Sequence, residues 1–257
     1  MKANHFRRSA AIAALGFSAV FSPVMVKAAG VPGQGTWETT LQPRDLDKNG
    51  QIDAFYDTDL DITWLRNANV NGQMTWGAAN AWAANLVIGA YSDWRLPTMV
   101  DTGAPGCDWS GGAGGTDCGY NMPSAAAKVE FAHLYFVTLG NKAYCDPATS
   151  TVSVCNVQPG WGLAANTGDF QGMGDNQYSY WLGLELALSQ RPPYVPYQNF
   201  AWYYDTSGGQ APRSKLDQLQ AIAVHAGDIG AVPEPETYAL MLLGLAALVA
   251  SKRLRKP

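Results

Sequence analysis

Residues 61–98 read DITWLRNANVNGQMTWGAANAWAANLVIGAYSDWRLPT, and they carry the strongest local signals for the architecture of this chain. Its opening part, Ile62 to Leu65, is β-branched and apolar, which predicts a strand. Thr75 can then cap a helix that runs through Leu86. The apolar residues at helical spacing are Trp76, Ala79, Ala83 and Leu86, with Trp82 widening the same face. We therefore expect a strand followed by a helix with one buried face.

The end of this stretch, DWRLPT at residues 93–98, is interpreted as structural. Trp94 and Leu96 can anchor a core, and Pro97 restricts the backbone to a turn. Arg95 lies between them and is either a buried ion-pair partner or a contact to a ligand. Its apolar neighbours favour the ion pair.

The rest of the chain predicts one more helix and several strands. The second helix is expected to start at Ser124 and to stop before Gly140, which suits a C-terminal cap. Its buried side is expected to contain Phe131, Leu134, Tyr135, Thr138 and Leu139. Further strands are predicted at Tyr178 to Leu184, Phe200 to Tyr204 and Gln220 to His225, with a turn at Ser207 to Gly209. Two core helices, a small antiparallel sheet and long loops indicate an α+β fold in one domain.

The N-terminus has the three parts of a secretory signal peptide. Lys2, Arg7 and Arg8 form a positive leader, Ala10 to Phe21 is an apolar run, and Ala28 ends a small-residue cleavage site. A membrane anchor is the alternative, but the run is too short to span a bilayer. Export with cleavage after Ala28 is therefore predicted.

The C-terminus combines an apolar run with a basic end. Tyr238 to Ala250 is 13 residues long and uncharged. As a helix it would cover about 20 Å, against about 30 Å of bilayer hydrocarbon, which makes it a short transmembrane helix. Four cations follow, and they would hold this end in the cytoplasm: Lys252, Arg253, Arg255 and Lys256. An ordinary buried helix is the alternative, but it would require a polar face that this run lacks.

This tail resembles the PEP-CTERM sorting signal that exosortases read. The resemblance rests on Pro233, Glu234 and Pro235, followed in order by the apolar run and the basic end. It implies a Gram-negative bacterium, transient retention in the inner membrane, and processing near the Pro-Glu-Pro motif before delivery to the cell envelope or the exterior. Proteins with this signal tend to accompany exopolysaccharide and biofilm production.

Without its two ends the chain is acidic. Residues 1–28 hold four cations and no acid, and residues 232–257 hold four cations and two acids. Residues 29–231 therefore keep 9 cations and 19 acids, a net charge of −10. A phosphate backbone requires a basic surface, so nucleic acid is not an expected partner.

All four cysteines lie in this exported part, within loops rich in Gly, Ser and Pro. An even count in an oxidising compartment predicts two disulfides, for which three pairings exist. The loop sequences favour the neighbouring pairs, Cys107 with Cys118 and Cys145 with Cys155. A zinc site is the alternative, but the spacing is not CxxC and no histidine lies nearby.

Residues 55–229 resemble the Lcl C-terminal domain family. The pieces that carry the resemblance are the opening stretch from Asp61, EFAHLYFVTLG from Glu130, YWLGLE from Tyr180, AWYYD from Ala201 and AIAVHAGDI from Ala221. The resemblance implies a C-type-lectin-like fold, and one relative is regarded as an adhesin for sulfated polysaccharides. The expected organisation is a signal peptide at 1–28, an entry segment at 29–54, this domain at 55–229 and the sorting signal at 230–257.

The entry segment contains the clearest chemical motif, DLDKNGQID at residues 45–53. Positions 1, 3, 5 and 9 of an EF-hand calcium loop are filled by Asp45, Asp47, Asn49 and Asp53, with Gly50 at position 6. Tyr56 at position 12 cannot supply the bidentate carboxylate. The alternative is a turn built by Asp and Asn side chains. Calcium is the one candidate cofactor.

A Pro-rich loop, RPPYVPYQNFAWYY from Arg191, is the candidate ligand site. Tyr194, Tyr197 and Trp202 could present flat aromatic faces to sugar rings, while the prolines stiffen the backbone. The alternative, which we favour at this point, is that these aromatics cover the core.

Signals for catalysis are thin, and no catalytic residue is predicted. The chain has no GxSxG, HExxH or P-loop motif. Glu130 and Glu185 could serve a polysaccharide hydrolase, but nothing around them in the sequence favours that chemistry. The predicted function is non-catalytic: binding or organising extracellular polysaccharide. The alternatives are a purely structural matrix protein without a small ligand and an unrecognised hydrolase.

Overall fold

A computed structural model describes residues 30–104, 106–108, 117–120, 127, 129–151, 154–174, 179–187 and 199–230. The expected signal peptide, the sorting tail, Tyr194 and Tyr197 lie outside these residues. In chain order the labelled elements are α1 Trp37–Thr40, β1 Leu41–Arg44, β2 Ala54–Asp57, β3 Ile62–Leu65, α2 Trp76–Asn85, β4 Cys107–Asp108, β5 Cys118–Gly119, α3 Glu130–His133, β6 Tyr180–Glu185, β7 Phe200–Tyr204, β8 Gln210–Ser214 and β9 Val224–Ala226.

The first sheet has the strand order β1-β2-β3-β9, and all three pairings are antiparallel. A tight turn joins β2 to β3: the Asp57 carboxylate accepts a hydrogen bond from the backbone N–H of Asp59 at 3.0 Å, and Asp61 has a φ of 53°. β3 occupies the residues that the sequence predicts, and all four of its residues are buried. Because β1 pairs with β2 and β2 pairs with β3, the entry segment at residues 29–54 contributes a strand to the same sheet as Ile62–Leu65.

The second sheet has the order β4-β5-β8-β7-β6 and is antiparallel apart from the short β4–β5 pair. β7 lies where it is predicted. The predicted turn is also confirmed: Asp205 accepts the N–H of Ser207 at 2.6 Å, and Gly208 has a φ of 92°. β8 follows this turn as the second strand of a hairpin, which the sequence pattern misses because Pro212 interrupts it.

The first predicted helix is confirmed as α2. The Thr75 side chain accepts a hydrogen bond from the N–H of Ala78 at 3.4 Å, which caps the helix as expected. Ala79 and Ala83 are buried. The larger apolar residues of the same face, Trp76, Trp82 and Leu86, pack only partly against the core. The Trp76 indole N–H donates to the carbonyl of Leu182 at 2.9 Å, which fixes the helix against β6.

The second predicted helix is not continuous, and its form differs from the prediction. The predicted start at Ser124 lies outside the described residues. Val129 is extended, with a ψ of 120°, so the helix that contains Phe131 begins at Glu130. After one α-helical turn it widens into a π-helix over Leu134–Thr138, in which the N–H of Leu139 donates to the carbonyl of Leu134 at 2.8 Å. Gly140 ends it with a φ of 63°, as predicted for a cap.

Aromatic side chains join this helix to both sheets. Phe131 lies 4.8 Å from Tyr204 in a stacked arrangement and 5.1 Å from Tyr180, both on the second sheet. Its edge-to-face partner on the first sheet is Trp64, at 6.1 Å. Burial raises the pKa of the Tyr204 hydroxyl well above its ordinary value, so it stays protonated and donates to the carbonyl of Gly208. One continuous core therefore unites the two sheets.

Two further predictions need correction. The sequence predicts a single small sheet, but the described residues form two sheets. The prediction missed strands of both sheets, among them β1, β2 and β8. The last strand, expected at Gln220 to His225, is Val224–Ala226. The residues before it form isolated bridges instead, Leu219 with Met74 and Gln220 with Tyr180, because this segment crosses between the two sheets.

Candidate calcium loop and adjoining cleft

The aspartate-rich loop connects β1 to β2. Lys48 and Gly50 both have a positive φ, 62° and 88°, and these two turns fold the loop back on itself. Asp45, Asp47 and Asp53 each offer a carboxylate oxygen, and the three oxygens all lie within 4.8 Å of one another. The fold thus gathers the three carboxylates that the sequence motif singles out.

Hydrogen bonds inside the loop hold these side chains in place. The two oxygens of Asp45 accept the backbone N–H groups of Asn49 and Gly50, at 3.1 and 2.8 Å. Asp47 accepts both the backbone N–H and the side-chain amide of Asn49. Asp53 accepts the N–H of Leu46 at 2.8 Å. The carboxylates are therefore oriented inward by the backbone.

This arrangement fits a calcium ion in part. Calcium binds oxygen ligands at about 2.3–2.6 Å, so two ligands of one ion lie up to about 5 Å apart, which accommodates the carboxylate spacing. The ligand that is missing is the bidentate carboxylate at position 12. Tyr56 occupies that position, and its hydroxyl donates a hydrogen bond to Asp61 at 2.9 Å. Asp57, one place later, is fully buried and its carboxylate turns to the β2–β3 turn. The residues present fit a weak site completed by water.

A cleft of about 410 Å³ opens beside this loop. It is formed where the loop, the residues after β3, the end of α2 and Gln171 meet. Its polar lining consists of Asn49, Gln51, Asp53, Arg66, Asn67 and Gln171, and its apolar lining of Ile52, Leu65, Val70, Leu86 and Ile88. Asn49 and Asp53 belong to both the loop and the cleft, which connects the two features.

Arg66 is the one cation in this lining, and the backbone holds it. Its guanidinium donates to the carbonyl of Ile52 at 3.2 Å and to that of Asp169 at 3.5 Å. Asn67 accepts the N–H of Asn69 at 3.0 Å and so shapes the turn after β3. The cleft therefore has one fixed positive group among amides that can both donate and accept hydrogen bonds.

The structure places Trp202 in the core. It is fully buried in β7, and its indole N–H donates to the Asp101 carboxylate at 2.8 Å. It therefore does not present a face to a ligand, in agreement with the alternative reading of that loop. Tyr194 and Tyr197, the other predicted contacts, lie outside the described residues.

Two exposed aromatic residues were not singled out from the sequence. Tyr144 and Trp161 are 36% and 41% exposed, and their rings meet at 4.8 Å, edge to face. They flank the second cysteine loop, 17 residues apart in the chain. The available signal was a Trp directly after a Pro-Gly turn, and Gly160 does adopt a φ of 72° there.

Both favoured disulfides are present. Cys107 bonds to Cys118, and Cys145 bonds to Cys155. None of these sulfurs is a free thiol, so the alternative of a zinc site does not hold.

Arg95 forms an ion pair with Glu130 at the start of α3. The two guanidinium nitrogens donate to the two carboxylate oxygens at 2.8 and 2.6 Å, and the N–H of Thr98 donates to the same carboxylate at 2.6 Å. This pairing raises the pKa of Arg95, chiefly through the hydrogen bonds to Glu130. The structural interpretation of Arg95 is thereby supported.

The acids considered for hydrolysis are both engaged in ion pairs. Besides Glu130, Glu185 contacts the Lys215 ammonium at 2.6 Å. His133 is buried: its ring lies 3.6 Å from Asp59 and 3.4 Å from the Thr138 hydroxyl.

Among the described residues, no helix has the length and apolar character needed to cross a membrane. The predicted tail helix falls outside those residues.

Comparison with known proteins gives one match. Residues 231–256 match the family described as the PEP-CTERM protein-sorting motif, and they include Pro233, Glu234 and Pro235. Neither the curated proteins nor the solved structures contain a match to the chain. The motif implies processing by an exosortase. This chain therefore carries the sorting signal of an exported, exosortase-sorted protein.

Proposed function

We propose that this protein binds polysaccharide outside the inner membrane and has no catalytic role, with the cleft beside the aspartate-rich loop as its binding site. The observation that carries the proposal is the lining of that cleft. It combines four side-chain amides, one guanidinium and the Asp53 carboxylate with five apolar side chains. Export, which the sorting motif implies, brings such a cleft into contact with envelope and extracellular polysaccharide.

The lining suits a sugar for two reasons. Hydroxyl groups both donate and accept hydrogen bonds, and side-chain amides match both roles. The volume of about 410 Å³ lies within the range of small-ligand sites, about 300–1,000 Å³, and is large enough for one or two sugar residues. The apolar side chains of the lining would cover the C–H face of a ring.

Calcium is proposed as a support for this cleft. Bound at Asp45, Asp47, Asn49 and Asp53, the ion would supply a fixed positive charge that holds the loop closed. Asn49 and Asp53 would then be fixed as part of the cleft wall. With three carboxylates and no bidentate ligand, the expected dissociation constant is that of extracellular calcium modules, about 10⁻⁴–10⁻³ M.

Both acids considered for hydrolysis are held in ion pairs, which supports a non-catalytic role. Glu130 is held by Arg95 and Thr98, and Glu185 by Lys215. We also propose that residues 55–229 form a C-type-lectin-like domain. The protein is proposed to be held transiently in the inner membrane and to act in biofilm formation or adhesion.

Affinity electrophoresis tests the proposal. The exported protein is run in native gels that contain soluble polysaccharides, with 5 mM calcium or with chelator. We expect retardation by at least one polysaccharide, weaker with chelator. The variant Gln51→Ala/Gln171→Ala removes two cleft amides, and the loss of two hydrogen bonds is expected to weaken binding about tenfold. Asn85→Ala, an amide outside the cleft lining, is the matched control.

The results separate this proposal from the alternatives. Equal retardation of the cleft variant and the control would contradict the cleft as the site. Absence of retardation by any polysaccharide, with the protein still held in the envelope, would favour a purely structural matrix protein. Shortening of a polysaccharide by the protein, lost in Glu185→Gln, would favour a hydrolase.

A further inference from the structure

The exposed aromatic pair lies on a rigid support. Tyr144 directly precedes Cys145, whose disulfide to Cys155 closes the loop. The carbonyl of Tyr144 accepts the N–H of Gln158 at 3.1 Å, and the N–H of Gly162, next to Trp161, donates to the carbonyl of Lys142 at 3.1 Å. The two rings are therefore held against each other by backbone bonds and a covalent bond.

The geometry of the pair leaves aromatic surface open. The ring planes meet at 88°, so the edge of one ring contacts the face of the other and the two form a corner. With more than a third of each side chain exposed, part of this corner faces solvent. Large exposed aromatic groups fixed in this way are typical of binding surfaces.

A small concavity of about 170 Å³ is formed by the same segment of the chain. Its lining is Phe136, Asn141, Lys142, Ala143, Asp146, Pro147 and Gln158, so it includes the residue before Tyr144 but neither of the two rings. It shares Lys142 and Gln158 with the backbone contacts that hold the rings. Polar side chains, Lys142 and Asp146 among them, thus lie within two residues of Tyr144 in the chain.

We propose that this aromatic corner, Tyr144 with Trp161, is a second polysaccharide subsite that takes one uncharged pyranose ring. The inference rests on the proposed polysaccharide function and adds a site separate from the cleft. The C–H face of the sugar lies on the exposed aromatic surface.

Charge and composition favour this occupant over others. The exported part has a net charge of −10, which disfavours an anionic polymer. The neighbouring concavity combines the apolar residues Phe136, Ala143 and Pro147 with one cation, one acid and two amides, so it does not present a single sign of charge to a ligand. Disulfide closure lowers the entropy lost on binding because the rings are ordered beforehand.

The test uses the full exported protein in native gels containing β-glucan, galactomannan or dextran, with alginate as the anionic comparison. We expect retardation in at least one neutral gel, and about tenfold or greater loss of affinity in Trp161→Ala, because the aromatic face is removed. Trp161→Phe keeps a ring and is expected to retain most of the binding. Leu216→Ala, which alters an exposed apolar residue elsewhere, is the control.

Each outcome decides the inference. Loss of retardation in Trp161→Ala with an unchanged Tm supports it; if that variant melts lower, Tyr144→Ala, tested in the same gels, takes its place. Retardation unaffected by both variants but lost in Gln51→Ala/Gln171→Ala overturns the subsite and leaves the proposed function standing. No retardation of the wild type in any gel overturns both. Concentration-dependent dimerisation, lost in Trp161→Ala and without any glycan binding, overturns the subsite in favour of a contact between two copies.

Discussion

The ion pair between Arg95 and Glu130 makes the strongest quantitative prediction. Arg95→Met keeps the aliphatic part of the side chain but removes the partner of Glu130. The Glu130 side chain is only 10% exposed, whereas that of Arg95 is 41% exposed. The substitution therefore leaves a nearly buried carboxylate with the N–H of Thr98 as a remaining donor.

The expected magnitude follows from this exposure. Breaking a fully buried pair costs about 3–5 kcal/mol, and the partial exposure of Arg95 reduces this to about 2–3 kcal/mol. For a domain of about 200 residues, each kcal/mol shifts the Tm by about 2–4 °C, so a fall of about 5–10 °C is expected. Differential scanning calorimetry under oxidising conditions at pH 7 measures it.

Two further variants make the reasoning testable. Glu130→Gln keeps an acceptor for Thr98 and frees an arginine that water can reach, so we expect a smaller loss, about 1 kcal/mol. The double variant Arg95→Met/Glu130→Gln removes the stranded charge and should melt above Arg95→Met alone. Arg213→Met, which breaks an exposed pair with Asp217, is the matched control and should cost less than about 0.5 kcal/mol. If Arg95→Met melts like the wild type and loses polysaccharide binding, the ion-pair interpretation is wrong and Arg95 is a ligand contact.

Three other predictions concern the turns, pH and calcium. Gly140→Ala places a Cβ 2.5 Å from the backbone nitrogen of Gly35 at a φ of 63° and should cost about 3 kcal/mol or more in urea unfolding. Gly33→Ala, with a φ of 74° and open space, should cost only about 1–2 kcal/mol. Burial raises the pKa of Asp57, so protonation of this carboxyl stabilises the fold at low pH. This contribution is lost as the pH rises through the folded-state pKa. The wild type should therefore lose stability toward neutral pH relative to Asp57→Asn. Calcium at ten times its dissociation constant should add about 1.4 kcal/mol, or about 3–5 °C in Tm, and Asp47→Asn should abolish the shift.

Each of these has a result that would count against it. Equal losses for Gly140→Ala and Gly33→Ala would mean that the chain relaxes around the added methyl group. A stability difference between wild type and Asp57→Asn that stays constant with pH would show that the buried carboxyl titrates normally. A calcium shift that persists in Asp47→Asn, or one that magnesium reproduces, would place the effect elsewhere.

Local sequence signals were sufficient where the deciding interactions are themselves local. Three features lie as predicted: the strand Ile62–Leu65, the helix cap at Thr75 and the turn at Gly208. Each depends on only a few neighbouring residues. The cysteine pairs also follow from short loops. The prediction of one continuous second helix failed because Val129 is extended. Glu130, the first residue of the helix, forms an ion pair with Arg95, which lies 35 residues away and is not visible to a local pattern.

Export and sorting could be inferred from the sequence alone, because the sorting signal is a linear motif, here at residues 231–256. The accessibility of the aromatic residues, in contrast, depends on the packed fold: Trp202 is covered by the core, whereas Tyr144 and Trp161 remain exposed. Residue type and periodicity show that a face is apolar but not whether another segment covers it. The cleft likewise exists only because segments far apart in the chain meet, and no local pattern records that meeting.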